Sequence, residues 1–245
     1  MLRDTLDAAG LGSVLVTCCD AIGWSSQRTM TNQLRSANVL GDIGAITSHT
    51  YTSDVDNAID AGGLPAWVTE AADLNSAWCT TWYSNGGLCE GMTWARRVAV
   101  GMVQGNLAAY IYWQGVEVNQ FQASSYLVAS DNNNVTPSGR LWAFAMWSRF
   151  VRPGAQRLST QGSVSNVLWT AYKNTDGSVA AVFTNSGGSA QSVSLSVTGF
   201  QATAASAWLT DNSHSVSSHT VTLSSAGAAA VSVPARSVVT IRLTK

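Results

Sequence analysis

The chain has three glutamates, Glu70, Glu90 and Glu117, and their settings differ. Glu70 follows Pro65-Ala66-Trp67-Val68-Thr69, a short apolar run of the kind buried in parallel sheets. That places it at the C-terminal end of a strand, where barrels and open α/β sheets collect their reacting groups. A carboxylate there can attack an electrophilic carbon or carry a proton, or act as a first-turn acid that stabilises the next helix. Ile46-Thr47-Ser48-His49-Thr50-Tyr51 ends the preceding strand and sets His49 and Tyr51 beside Glu70 on one face. A lone His is more often a satisfied core residue, but a tyrosine next to a carboxylate can hold and tune it by a hydrogen bond. Glu117 follows its strand at a greater distance and reads as a loop carboxylate, and Glu90 abuts Cys89 and reads as solvated. Asp20 ends the first strand, where it can bind hydroxyls. Of ten tryptophans, Trp24, Trp82 and Trp113 fall at or after strand ends. Most belong in the core, but flat aromatic faces lining a cleft also suit sugar rings.

The elements that must position these groups change character near residue 155. Before it, four continuous apolar runs at 14–18, 43–49, 66–69 and 109–113 read as parallel strands covered on both faces. Amphipathic segments at 26–40, 54–61 and 93–104 lie between them. A further helix over 138–151 has Thr136 as N-cap, Pro137 in its first turn and Pro153-Gly154 as its stop. Residues 2–10 read as the end of a helix. Four βα units in series make a parallel α/β layer, and four strands cannot close an eight-stranded barrel. Residues 156–245 read instead as an antiparallel sandwich, with strands at 167–173, 179–184, 193–197, 205–210, 220–223, 228–233 and 238–243. Asp176-Gly177 and Ser186-Gly187-Gly188 supply turns. The expected organisation is thus 1–155, a partial barrel layer, and 156–245, a sandwich.

Composition narrows the chemistry. In 245 residues, 46% are apolar and only 11% charged, with thirteen Lys and Arg facing fourteen Asp and Glu. No basic field exists to collect phosphates, which argues against nucleic acid as a partner. No apolar run approaches the ~20 residues of a spanning helix, so no membrane is expected, and Met1-Leu2-Arg3-Asp4 does not open a secretion signal. There is no Gly-rich phosphate loop, no G-x-S-x-G and no C-x-x-C pair, so neither a metal nor an organic cofactor is expected. Cys79 and Cys89 bracket a loop that a disulfide could close, while Cys18 and Cys19 lie in an apolar run and read as core thiols. The sequon Asn134-Val135-Thr136 is compatible with secretion.

Taken in order, Val14-Leu15-Val16-Thr17-Cys18-Cys19-Asp20, Ser48-His49-Thr50-Tyr51, Trp67-Val68-Thr69-Glu70 with Asp73-Leu74-Asn75-Ser76-Ala77-Trp78, Tyr110-Ile111-Tyr112-Trp113 and Arg140-Leu141-Trp142-Ala143-Phe144 resemble the C-terminal half of glycoside hydrolase family 30 enzymes. The resemblance runs on through the Ser-rich sandwich. It is nearest to the fungal branch of endo-β-1,4-xylanases and related exo-acting xylanases, close to endo-β-1,6-galactanases. It implies the C-terminal half of a (β/α)8 TIM barrel followed by an antiparallel β-sandwich side domain. It also implies retaining hydrolysis of a β-linked polysaccharide, xylan before β-1,6-galactan, by an extracellular protein that is monomeric at full length. By the same resemblance Glu70 is the nucleophile, His49 and Tyr51 are its sixth-strand neighbours, Trp113 floors the subsite of the attacked sugar, and Asp20 and Trp24 belong to the fifth-strand loop. The family's acid/base, an Asn-Glu pair ending the fourth strand, has no counterpart here, since no glutamate precedes Val14. A truncated, weakly active or inactive hydrolase is therefore the first expectation, and a non-catalytic carbohydrate-binding protein using Trp and Tyr faces and the sandwich is the alternative.

Overall fold

A computed structural model describes residues 1–118, 125–131 and 133–245. The chain divides into two compact units, Met1–Ala72 with Val100–Gln114, and Asp73–Ala99 with Gly115–Lys245. No helix among the described residues is long and apolar enough to cross a membrane.

In the first unit, α1 (Leu2–Ala8) precedes β1 (Thr17–Ala21), α2 (Trp24–Ser36), β2 (Ala45–His49) and β3 (Ala66–Glu70). The helix α3 (Gly91–Val103) starts in the second unit and ends in the first, leading to β4 (Ala109–Tyr110). The four strands form one parallel sheet in the order β1-β2-β3-β4. Burial along it is uneven. Ala45, Ile46, Thr47 and Ser48 of β2 are buried, as a strand covered on both faces requires, but Thr17, Cys19 and Asp20 of β1 are exposed. The expectation of four doubly covered strands thus holds for β2 alone: β3 alternates buried and half-buried residues, β4 is half-buried, and β1 is an edge strand whose surroundings expose Val14, Leu15 and Ile22. Cys18 and Cys19 are correspondingly not core thiols; they are joined to each other in a disulfide across a cis peptide bond.

The inner face of α2 is Trp24, Gln27 and Thr31, spaced three and four apart on one stripe, all wholly buried. Its N-terminus packs so tightly on the chain at 52–53 that a Cβ on Gly23 would lie 2.3 Å from Thr52 Oγ1 and 2.9 Å from the Ser53 amide nitrogen. Only glycine fits there. The helix expected at 54–61 is absent: Val55, Ile59 and Ala61 are buried without helical backbone. Asp56 accepts from the Asn57 amide and Asp60 from that of Gly62, the local bonding by which Asp competes with helix. The same two carboxylates pair with Arg28 and Arg35 of α2.

The second unit begins with a segment closed by Cys79–Cys89, whose Cα atoms are 5.7 Å apart. It continues into a small sheet of β5 (Val116–Val118), β6 (Val128–Ser130) and β7 (Val135–Pro137), then α4 (Gly139–Ser148). The N-cap of α4 is Ser138, whose hydroxyl accepts from the Leu141 amide, and not Thr136; Pro137 closes β7 instead of opening the helix. Strands this short fall below what apolar periodicity reveals. Arg140 of α4 and Asp73 are both wholly buried, with Nη1 3.6 Å from Oδ2.

The sandwich comprises β8 (Gln156–Arg157), β9 (Val167–Lys173), β10 (Val179–Asn185), β11 (Gln191–Leu195), β12 (Ala204–Thr210), β13 (Ser217–His219), β14 (Val221–Leu223), β15 (Ala229–Val233) and β16 (Ser237–Thr244). Six of them pair in the order β13-β12-β16-β10-β9-β8 and three as β11-β15-β14. The core between them holds Phe183, Val193, Leu195, Leu209, Ile241 and Leu243, with Trp169 stacked on Phe183 at 5.4 Å. Every residue of β10 is buried, because the outer face of the large sheet meets α4, where Thr240 donates to the Met146 carbonyl at 2.7 Å.

Candidate active site

Glu70 stands where its sequence context places it, at the C-terminal end of β3, with β2 and β4 on either side. Its Oε2 accepts a hydrogen bond from the Tyr51 hydroxyl at 2.9 Å. His49 Nδ1 lies 3.5 Å from the same Oε2, and the His49 and Tyr51 rings meet edge to face at 5.5 Å. Burial first, then the bond to Glu70, push the Tyr51 hydroxyl well above the usual phenol range, so it stays protonated and donating. Both neighbours address Oε2, and Oε1 has no hydrogen-bond partner among the described residues. Backbone bonds fix the frame: the Thr50 amide donates to the Glu70 carbonyl, and the Tyr51 and Thr52 amides to that of Ile22.

Asp20 enters this cluster from β1. The ladder pairs Cys19 with Thr47 and Ala21 with Ser48, so Asp20 is an extra, bulged residue, and its φ of 53° is left-handed. A bulge of this kind re-aims one side chain out of the pleat. Here the carboxylate turns to His49, with Oδ1 3.8 Å from Nε2, and accepts from the Thr69 hydroxyl at 2.5 Å. Thr69 is itself skipped in the pairing of β2 with β3, where Ser48 meets Val68 and His49 meets Glu70.

Trp113 follows β4 and extends its pairing, its amide donating to the Ala71 carbonyl beside Glu70 in sequence. Its side chain is 47% exposed, available to a ligand. Trp24 is the correction among the expected substrate contacts. It is 0% exposed, the first residue of α2, with Nε1 donating to the Asn57 carbonyl at 2.9 Å. A position after a strand end looked like a cleft, but Trp24 begins the buried stripe of a helix. Trp82 is likewise buried, bonded to the Arg236 carbonyl.

Glu90 is a second correction. It is buried and closes the loop before α3, accepting from the Ser84 hydroxyl at 2.6 Å and from the amides of Ser84, Asn85 and Gly86. Burial alone would raise its carboxyl, and these four donors reverse that and hold it at about 2. Glu117 lies in β5; its side chain is outside the described part of the structure. Sequence reasoning passed over Thr69 and Gln27, although the Trp24/Gln27/Thr31 spacing marks Gln27 as inward-facing. No group of three or more His, Cys, Asp and Glu among the described residues could hold a metal ion.

Comparison with known proteins agrees with this architecture. Residues 154–241 match the glycosyl hydrolase family 30 beta sandwich domain. The glucuronoxylanase XynC of Bacillus subtilis (strain 168) is 25% identical over 218 residues, covering 84% of this chain and 47% of the relative. The catalytic domain of a family 30 xylanase C from Talaromyces cellulolyticus superposes with a TM-score of 0.91 at 43% identity, over 100% of this chain and 55% of that one. A family 30 endoxylanase from Clostridium papyrosolvens shares the fold, with a TM-score of 0.74 at 22% identity, over 100% of this chain and 60% of that one. The chain spans about half the length of the curated relatives it matches. The parallel sheet followed by antiparallel sheets is thus laid out as a partial barrel with a β-sandwich, and in that it is similar to the family 30 xylanases.

Proposed function

We propose that this chain is the nucleophile-bearing part of a retaining β-glycoside hydrolase acting on plant cell-wall polysaccharide, with xylan preferred over β-1,6-galactan and an extracellular place of work. The observation that carries the reading is Glu70 at a parallel strand end, with one carboxylate oxygen held by Tyr51 and the other unengaged among the described residues. The xylanase relatives support the substrate class.

In the proposed step, Oε1 of Glu70 attacks the anomeric carbon of a sugar resting against Trp113. The C–O bond to the leaving group breaks, and the sugar becomes an ester of Glu70. Tyr51 and His49 keep Oε2 oriented as it becomes the carbonyl oxygen of that neutral ester and the negative charge departs with the leaving group. Retaining chemistry also needs a second carboxyl about 5–5.5 Å away to protonate the leaving oxygen and then activate water. Among the described side chains none fits that role: Asp20 is taken up by Thr69 and Glu90 by its own loop. Natural glycosides should therefore turn over feebly on this chain alone, since losing general-acid assistance removes roughly 10²–10⁴-fold.

A leaving group that needs no proton separates attack from that deficit. The 2,4-dinitrophenyl 2-deoxy-2-fluoro-β-xylobioside should leave one disaccharide on the protein, found by mass spectrometry on the peptide containing Glu70. An unlabelled chain, or equal labelling of Glu70→Gln, overturns the assignment. The half-exposed Trp113 also suits a binding protein without catalysis. That reading predicts unchanged xylo-oligosaccharide affinity in Glu70→Gln, weakened affinity in Trp113→Ala, and no covalent adduct on the wild type.

A further inference from the structure

The two bulged residues of the parallel sheet are each other's partners. Asp20 is the extra residue of β1 against β2, Thr69 is the extra residue of β3 against β2, and the Thr69 hydroxyl donates to Asp20 Oδ1 at 2.5 Å over the end of the strand between them. The Ser48 carbonyl, 3.2 Å from the same hydroxyl, is the weaker acceptor for its single proton. Short O–H···O⁻ bonds of this length are among the stronger hydrogen bonds in proteins.

The left-handed backbone at Asp20 is unfavourable for a residue with a side chain and persists only where its surroundings enforce it. Those surroundings are the Gln27 amide, wholly buried on α2. Its Oε1 accepts from the amides on both sides of the bulge, Cys19 at 3.3 Å and Ala21 at 3.2 Å, and its Nε2 reaches the Cys18 carbonyl and the Thr31 hydroxyl. A buried amide bonded to the backbone on both sides of one bulge, and braced on its own helix by Thr31, fixes where that bulge points. The bulge points at Thr69, whose next residue in the chain is Glu70.

Building on the assignment of Glu70 as nucleophile, we propose that Asp20 is a positioning residue and not a sugar ligand: with Thr69 it forms a latch between the two bulges that holds the end of β3 and so aims the Glu70 carboxylate. Gln27 sets the Asp20 side of the latch, and the peptide link from Thr69 to Glu70 transmits it.

Two readouts test the latch. The first needs no reaction: the Thr50 amide donates to the Glu70 carbonyl, so its hydrogen exchange reports the order of the β3 end. Thr69→Val and Asp20→Ala should each speed exchange at Thr50 by about 10-fold, the scale expected from losing one hydrogen bond to a charged group. Thr69→Ser should restore protection. Asp20→Asn should keep it, because an amide oxygen still accepts. The second readout is labelling by the fluoro-xylobioside: Thr69→Val should lower the maximal rate by about 10-fold while the inhibitor concentration for half-maximal rate moves less than about 2-fold. Unchanged exchange in Thr69→Val overturns the latch. So does an Asp20→Ala variant with a raised half-maximal concentration and an unaltered maximal rate, which is the mark of a sugar ligand. A wild-type chain that cannot be labelled tells against the proposed function alone, and the latch is then judged by exchange.

Discussion

The Tyr51 hydroxyl lies 2.9 Å from Oε2 of Glu70 and gives it the one side-chain hydrogen bond it receives among the described residues. With its phenol pushed upward by burial and by that carboxylate, Tyr51 donates across the whole working range of pH. Tyr51→Phe removes the donor and keeps the ring against His49. Losing a hydrogen bond to a charged group corresponds to about 1.5–3 kcal/mol, so labelling of Glu70 should slow by roughly 10- to 100-fold. Stopped-flow release of dinitrophenolate measures it; a rate within 2-fold of wild type removes Tyr51 from the site.

Trp24 and Trp113 should separate cleanly. Trp24→Ala deletes a wholly buried indole and its bond to Asn57, with a cost of about 3–5 kcal/mol in a core of this kind. Trp113→Ala, at a half-exposed position, should leave the melting temperature within about 2 °C and weaken oligosaccharide binding instead. Calorimetry for stability and titration with xylotetraose decide between them, and a large loss of stability in Trp113→Ala would contradict its placement.

Glu90 gives the loop before α3 a dependence on acid. Its carboxyl is held at about 2 in the fold against 4.5 when free. A lowered folded value means that the stabilisation is fully present above about 4.5 and drains away as pH falls toward 2. Glu90→Gln lacks it at every pH. The melting temperature of the variant should therefore lie several degrees below wild type at pH 7, and the gap should narrow steadily below pH 4.5. A gap that is constant from pH 7 to pH 3 rules out the charged clamp.

Asn185 ends β10 with no exposure and ties three segments together. Its Nδ2 lies within hydrogen-bond distance of the Ser189, Val233 and Pro234 carbonyls, and its Oδ1 accepts from the Gly187 amide. Asn185→Leu fills the volume but strands these buried backbone groups, at about 1–3 kcal/mol for each left unmade. Urea unfolding should show a clear loss, with hydrogen exchange raised at Gly187 while the middle of β9, at Thr170, remains protected.

Much of this was legible from residue order alone. A continuous apolar run marks β2 because burial on both faces leaves no alternation, the run at 66–69 marks β3, and the serine alternation of β11 marks its wet face. Glu70, His49 and Tyr51 were found together because residues at adjacent parallel strand ends must be neighbours. What escaped depends on things that pattern does not carry. Residues 54–61 have helical spacing, but the carboxylates of Asp56 and Asp60 are spent on local amides and on Arg28 and Arg35. A charged residue such as Glu90 looks solvated until four donors are seen around it. Trp24 follows a strand end in sequence yet starts a helix that turns it inward.

The paired bulges also make chain length part of the site's code. β2 meets each neighbour one residue short, at Asp20 on one side and at Thr69 on the other. Deleting either position would let the ladder close evenly: Ala21 already meets Ser48 and Glu70 already meets His49, so those pairs would keep their register while the extra side chain that reaches across β2 is lost. Removal of Thr69 would take away the hydroxyl from which Asp20 accepts, and removal of Asp20 would leave Gln27 gripping amides that no longer frame a gap. Substitutions at these positions change one side chain, whereas the loss of a single codon at either one would remove the bulge itself and with it the geometry that brings the two side chains together.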